Sequence, residues 1–541
     1  MGNRVSRKLS MSSSQVAFHQ RPSSVPKFPP GGNFAKGSID LGGLTVCQAS
    51  NLSRVWATHE GGPNNQGAAF YEPTALPDGY FMPGHYSQPN GKPLAGRVLA
   101  VRDEANGAVE RPVNYTLVWN SKNSTMKQNG VAYVWLPVPP RGYKALGYIV
   151  TATPDLPSLD RVRCVRSNFT GQCAASEWIW GHGDDGFRIV EGEPVSVGAM
   201  AGNDVPVGTF ATHNAKDSAT VSCLKNSNAV PSGMPNMDQI KTLMASYGPL
   251  VYLHPDEQFF PSSVEWFFNG GALLYQRGNE GSPVKIDSTG SNLPQGGSND
   301  GAFWLDLPVD DNANEVVKKG DLSTSKAYVH VKPVQGGTAT DLAIWLFYPF
   351  NGPAKAKVLF FNIDLGKIGS HVGDWEHVTL RINNFDGKLQ SVYFSEHSGG
   401  RWVDASQVEY GDRNKPVAYA SRNGHALYPN AGLVMQGNKQ FGIRNDMAKS
   451  NFVMDIGANF EIMSADSLGV VEPQWLNYFR EWGPKIDYNI SAELNKVKKL
   501  LFFKKLKREF EEFLNGLPSE VLGQEGPTGP KAKPSWNGDE A

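Results

Sequence analysis

Apolar and polar positions are most sharply patterned between Thr340 and Pro429. An apolar run, DLAIWLFYPF, occupies 341–350, and HVGDWEHVTLRI follows at 371–382. From Trp375 to Ile382 the residues alternate as on a strand, with β-branched Val378, Thr379 and Ile382. A strand places Asp374, Glu376 and Val378 on one face and Trp375, His377 and Thr379 on the other. Val392 to Phe394 reads as a neighbouring strand that reaches His397 before Gly399-Gly400.

The first third of the chain has short strand-like runs between turns. Pro77-Asp78-Gly79-Tyr80 leads to Gly84-His85-Tyr86, and Pro140-Arg141-Gly142-Tyr143 leads to Gly147-Tyr148, 63 residues further on in both cases. A weaker third copy begins at Asp185-Gly186-Phe187. Three sheet units about a pseudo-threefold axis make residues 34–211 a β-prism-like domain. The polar stretch 212–234 reads as a linker. Ile240, Leu243 and Met244 recur at helical spacing within 235–247, opening a β-sandwich domain over 235–490. Leu494, Val497, Leu501, Leu506, Phe510 and Phe513 mark an amphipathic helix over 491–516. The ends, 1–33 and 517–541, read as disordered. The expected fold class is mainly β: a β-prism-like domain, a β-sandwich and a C-terminal helix.

Composition supports strands and turns over helix bundles: 58 Gly, 37 Pro and 11% aromatic residues in 541. A net charge of −1 gives no general attraction for nucleic acid. No apolar run reaches the length of a membrane span. The four cysteines, Cys47, Cys164, Cys173 and Cys223, are too few for a secreted disulfide framework. Cys164 and Cys173 could pair, but reduced thiols are the expectation for a cytosolic chain.

The candidate chemistry lies on the patterned stretch. Two carboxylates on one strand face repel unless a cation or proton lies between them. Asp374 and Glu376, with His371 and His397, suit a divalent ion such as Mg, Mn, Ca or Zn. The spacing fits neither a zinc finger nor HExxH. The competing reading is a solvated strand face paired with Lys or Arg. His425, between Gly424 and Ala426, reads as a hydrogen-bonded core or turn histidine. His254, Asp256 and Glu257 could form a second ligand cluster, but after a strand-like run and before a turn they read as capping or surface groups. The Gly-rich stretch around Asp300 and Asp306 lacks the lysine of a phosphate loop.

The N-terminus, MGNRVS, matches the pattern for myristoylation of Gly2. One acyl chain binds membranes only marginally. Arg4, Arg7 and Lys8 would each add about 1 kcal/mol at an anionic leaflet. Phosphorylation of Ser10 would weaken that attraction.

The motifs HVGDWEHV, AIWLFYPFNG and YFSEHSGG resemble the necrosis- and ethylene-inducing toxin family. That resemblance implies a cation-binding cavity at His371, Asp374, Glu376 and His397; Gly373 stands where that family's heptapeptide has a second histidine. Over nearly the whole chain from about Phe34, motifs such as FAKGSIDLGGLTVCQ, WATHEGGPNNQGAAFYEP, NGHALYP and GQEGPTGPK resemble the plant branch of the vacuolar protein sorting-associated protein 62 family. This implies a peripheral protein of endomembrane or vacuolar trafficking on the cytoplasmic face of the endomembrane, vacuole or plasma membrane. Its expected partners are lipid headgroups or glycans, with a divalent cation, and trafficking proteins, but no nucleic acid. The alternatives are a metal-dependent hydrolase, for which no GxSxG nucleophile motif is present, and a cytolysin-like defence protein.

Overall fold

The computed structural model describes residues 24–538 and Glu540, apart from 95, 182–186, 196–201, 215–216, 219–220, 359–360, 398, 438–440, 466–467, 486–503 and 516–525. It is mainly β, as expected.

The strands before residue 226 fall into three successive sets. The first comprises two three-stranded sheets between Ser38 and Asp103, and the second two more between Val109 and Arg166. The third is one six-stranded sheet built around strands Thr170–Trp180 and Arg188–Pro194. The sets meet at the repeated glycines. A β-carbon on Gly84 would lie 2.9 Å from Gly147 Cα, and one on Gly147 only 2.6 Å from Thr209 Cβ. Only glycine permits that approach. The third set therefore enters this junction at Gly208-Thr209-Phe210. The expected copy at Asp185-Gly186 falls outside the described residues.

Two expectations about connecting segments are corrected. Within 212–234, strands Phe210–Asn214 and Ser222–Lys225 belong to the six-stranded sheet. Both are inner strands of that sheet, each bordered by a two-residue edge strand, Asp217–Ser218 and Asp204–Val205 respectively. The expected reduced thiols are found only at Cys47 and Cys164, which are free and buried; Cys173 is joined to Cys223 rather than to Cys164.

Helix Met237–Tyr247 opens the second part. Asn236 and Gln239 close its first turn reciprocally as a capping box. Its buried Ile240, Leu243, Met244 and Tyr247 pack on a six-stranded sheet. In spatial order the strands are Gly399–Asp404, Leu389–Glu396, His371–Asn383, Ala339–Asn351, Ala327–Val334 and Phe460–Ser464. Both faces of this sheet are covered, which is why 341–350 is apolar throughout rather than alternating. One face carries Leu342, Ile344, Leu346, Val378 and Leu380 against the helix. The other carries Trp345, Phe347 and Trp375 against Trp475, Trp482 and Trp536.

The expected disorder at the ends is corrected for the described residues there, 24–33, 526–538 and 540. Pro29 and Gly31 accept hydrogen bonds from Gln239, and Phe28 packs edge-on against Phe34, centroids 5.1 Å apart. The C-terminal segment from Gly526 runs back over the sheet and buries Trp536 and Glu540. Of the expected helix over 491–516, Lys504–Asn515 is helical and buries Phe510, so it packs on the body; the rest lies outside the described residues. Gly2, Arg4, Arg7, Lys8 and Ser10 lie outside them too. Among the described residues, no helix is long and apolar enough to cross a membrane.

Candidate functional site

Register places the site at one end of the central sheet. Tyr348 lies opposite Asp374 and Leu346 opposite Glu376. Asp374 and Glu376 therefore stand on the same face as Val378 and Leu380, where the apolar core ends and a cleft of about 430 Å³ begins. His371 and His397 line the same cleft, so all four expected residues meet there.

Each side chain is held by partners that the sequence did not announce. Asp374 accepts from His425, Oδ2 to Nδ1 2.9 Å. The other ring nitrogen of His425 donates to the Phe259 carbonyl at 3.1 Å and lies 3.9 Å from Glu257. The ring stacks on Tyr348, centroids 3.8 Å apart and 7° from parallel. With both nitrogens donating, the ring is an imidazolium. Burial alone would push its pKa down, but hydrogen bonds and charge from Asp374 and Glu257 overcome this and raise it to about 9. The two carboxyls respond in kind: burial pushes each up, and His425 brings both below their ordinary values. Glu257 also accepts from the backbone amides of Gln258, Phe259 and Asn423 at 2.8–2.9 Å. It is thus a buried anchor of the site, not a surface group. His425 is a turn histidine at φ +54°, as expected, but one that carries charge.

Glu376 accepts from Ser395 Oγ at 2.6 Å, and Ser395 Oγ in turn accepts from the His377 amide at 3.2 Å. His397, at φ +59°, contacts Asn445 Oδ1 through Nε2 at 2.8 Å. Gly373 has φ +68°, and a β-carbon there would strike the Trp482 carbonyl. A histidine at this position is therefore incompatible with the backbone. His377, on the opposite face, stacks on Trp345 and is driven down to about 3 by burial, with Lys332 and Lys533 assisting.

The C-terminal segment forms one wall of the cleft. Thr528 and Lys533 face it. The segment is fastened on the other face of the sheet. Trp536 stacks on His330 at 3.8 Å, Trp402 Nε1 donates to the Glu540 carbonyl at 2.8 Å, and Lys332 Nζ lies 3.2 Å from Glu540 Oε1. Thr379 donates to the same carboxylate at 2.5 Å.

Two carboxylates at a polar cleft, with imidazoles at the rim, form a donor set chemically suited to a hard, partly hydrated cation. Among the described residues, however, no group of three or more His, Cys, Asp or Glu side chains converges tightly enough to hold a metal unaided. Water would have to complete any coordination shell. Sequence reasoning set Glu257 aside and missed Asn445, Arg444 and Lys533, whose approach depends on chain folding rather than on local pattern.

These features define a mainly β, two-part protein with a polar cleft at the end of a doubly covered sheet. The profile described as vacuolar protein sorting-associated protein 62 matches residues 15–540, and the chain belongs to that family. Vacuolar protein sorting-associated protein 62 of Saccharomyces cerevisiae is 26% identical over 34% of this chain. The match spans 44% of that relative, less than half its length. Among solved structures, GNIP1Aa from Chromobacterium piscinae aligns over 38% of this chain and 40% of its own, at 18% identity and TM-score 0.29. Necrosis and Ethylene inducing Protein 2, from the causal agent of cocoa's witches' broom disease, aligns over 35% and 67%, at 17% identity and TM-score 0.20.

Proposed function

We propose that this chain is a non-enzymatic, peripheral membrane protein of vacuolar protein sorting whose cleft recognises a lipid headgroup or glycan. Family membership supports the trafficking role. The observation that carries the ligand class is the convergence of Asp374, Glu376, Asn445, Arg444 and Lys533 on one cleft of about 430 Å³. Sugars and headgroups require donors and acceptors side by side in such a space.

A divalent cation, Mg, Ca or Mn, belongs to this reading. Asp374 and Glu376 would supply oxygens, with His371 and His397 at the rim and water completing the shell. Asp374, Glu376 and Glu257 all act electrostatically on Tyr348, while His425 is hydrogen-bonded to Asp374 and His371 and Lys533 also act on that carboxylate. Carboxylate oxygens gathered at one polar cleft favour a cation. Membrane attachment would come from a myristoyl group on Gly2 with Arg4, Arg7 and Lys8, on the cytoplasmic face. Intact-mass analysis of the mature protein tests that anchor, and an acetylated Met1 would remove it.

The deciding experiment is thermal melting of the wild type, Asp374→Asn and Glu376→Gln with Mg, Ca or Mn, followed by flotation on vesicles bearing different headgroups. A metal that raises Tm only in the wild type, and vesicle capture that needs the same metal, is the expected result. No Tm change with any of the ions would make the carboxylates purely structural. No capture by any headgroup or glycan would overturn the recognition role itself.

A further inference from the structure

A second cleft, of about 370 Å³, lies between the two parts of the molecule. The N-terminal part contributes Ser87, Arg97, Glu191 and Glu193, and the central sheet contributes Asp404 at the end of strand Gly399–Asp404. Glu191 and Glu193 are two residues apart on strand Arg188–Pro194 and so share one face. None of Arg97, Glu191, Glu193 and Asp404 is ion-paired among the described residues. Three carboxyls against one guanidinium leave the cleft short of positive charge. Burial, with Glu177 and Glu193 nearby, pushes the Glu191 carboxyl up to about 7.

The second observation is Ser87. It is 2% exposed and lines this cleft, yet its hydroxyl has no hydrogen-bond partner among the described residues. An orphaned buried hydroxyl is uncommon and costs about 1–3 kcal/mol. A metal ion would need tightly convergent ligands, which are lacking among the described residues. An ammonium group needs only acceptors distributed around its three N–H bonds.

We propose that this inter-domain cleft binds the protonated amine of a small polar molecule. Glu191 and Asp404, from opposite walls, accept its N–H bonds, Ser87 supplies a further acceptor, and Arg97 donates to an oxygen beside the amine. The ligand would bridge the two parts of the chain. An amino acid, an amino sugar and a polyamine share this chemistry.

Titration calorimetry of the full chain at pH 8 with L-lysine, D-glucosamine, spermidine and D-glucose tests the assignment. At least one amine binds and glucose does not; which amine binds identifies the source. Glu191→Gln and, separately, Asp404→Asn weaken that binding about tenfold or more, the loss expected for a charge-assisted hydrogen bond. Unchanged melting in either variant separates this loss from misfolding. No binding by any amine, glucose binding as well as glucosamine, or full binding in both variants would overturn the proposal.

Discussion

His425 carries a proton because two carboxylates surround it, and that proton ties stability to pH. Its pKa rises from 6.5 to about 9 on folding. The stabilisation is complete below the unfolded value and disappears as pH climbs through about 9. A shift of this size corresponds to about 3 kcal/mol, shared with the carboxylates that cause it. Asp374 and Glu257 shift downward, so their part is present above the ordinary carboxylate range and is lost as pH falls through their folded values. Urea melts between pH 6 and 10 should therefore show declining stability on the alkaline side, and His425→Gln should flatten that limb. The same substitution leaves Asp374 and Glu257 buried without a counter-charge and should destabilise by about 3–5 kcal/mol. Gly373→Ala should also destabilise, by about 1–3 kcal/mol in the same melts, from positive φ and overpacking. Period-two alternation placed Asp374 and Glu376 together. It could not reveal Glu257 and His425, whose meeting depends on how two distant loops fold.

At the scale of elements, the C-terminal segment was hardest to read from sequence. Its Gly, Pro and Lys content resembles a disordered tail, yet Trp536 and Glu540 are about 95% buried. The overlooked signal was a lone tryptophan in a polar tail, a residue expensive to leave in water. The Lys332 side chain is 0% exposed and faces Glu540. Glu540→Gln should cost about 3–5 kcal/mol by denaturant unfolding, because an uncompensated ammonium remains buried. Combining it with Lys332→Met should recover much of that loss, since neither charge then needs a partner. Deleting residues 527–541 should expose tryptophan, seen as a red-shifted emission, and remove one wall of the cleft. The helix Met237–Tyr247 was legible because its apolar stripe is a local feature.

For the whole molecule, the junction between the two parts is specific and polar. Asn383 Nδ2 donates to Gln48 Oε1 at 2.7 Å, and Asn226 Nδ2 to the Gly336 carbonyl at 2.7 Å. The disulfide across a separation of 50 residues stabilises only the N-terminal part. Its reduction should lower that part's stability by about 4 kcal/mol on the chain-entropy account, with a calorimetric transition that moves independently of the second part. Trapping thiols in cells reports the compartment: a chain on a cytosolic membrane face should yield four alkylated cysteines. Overall β character was legible from turn spacing and alternation. The disulfide partner was not, because strands adjacent in space are far apart in sequence.

The anchoring of Glu540 has a consequence for synthesis. Every strand of the central sheet leaves the ribosome before the carboxylate that neutralises Lys332, so the sheet cannot complete its interior until Glu540 has emerged. A nascent or prematurely terminated chain keeps that lysine unpaired and resists closure. Synthesis through Glu540 thus becomes a condition for reaching the native state.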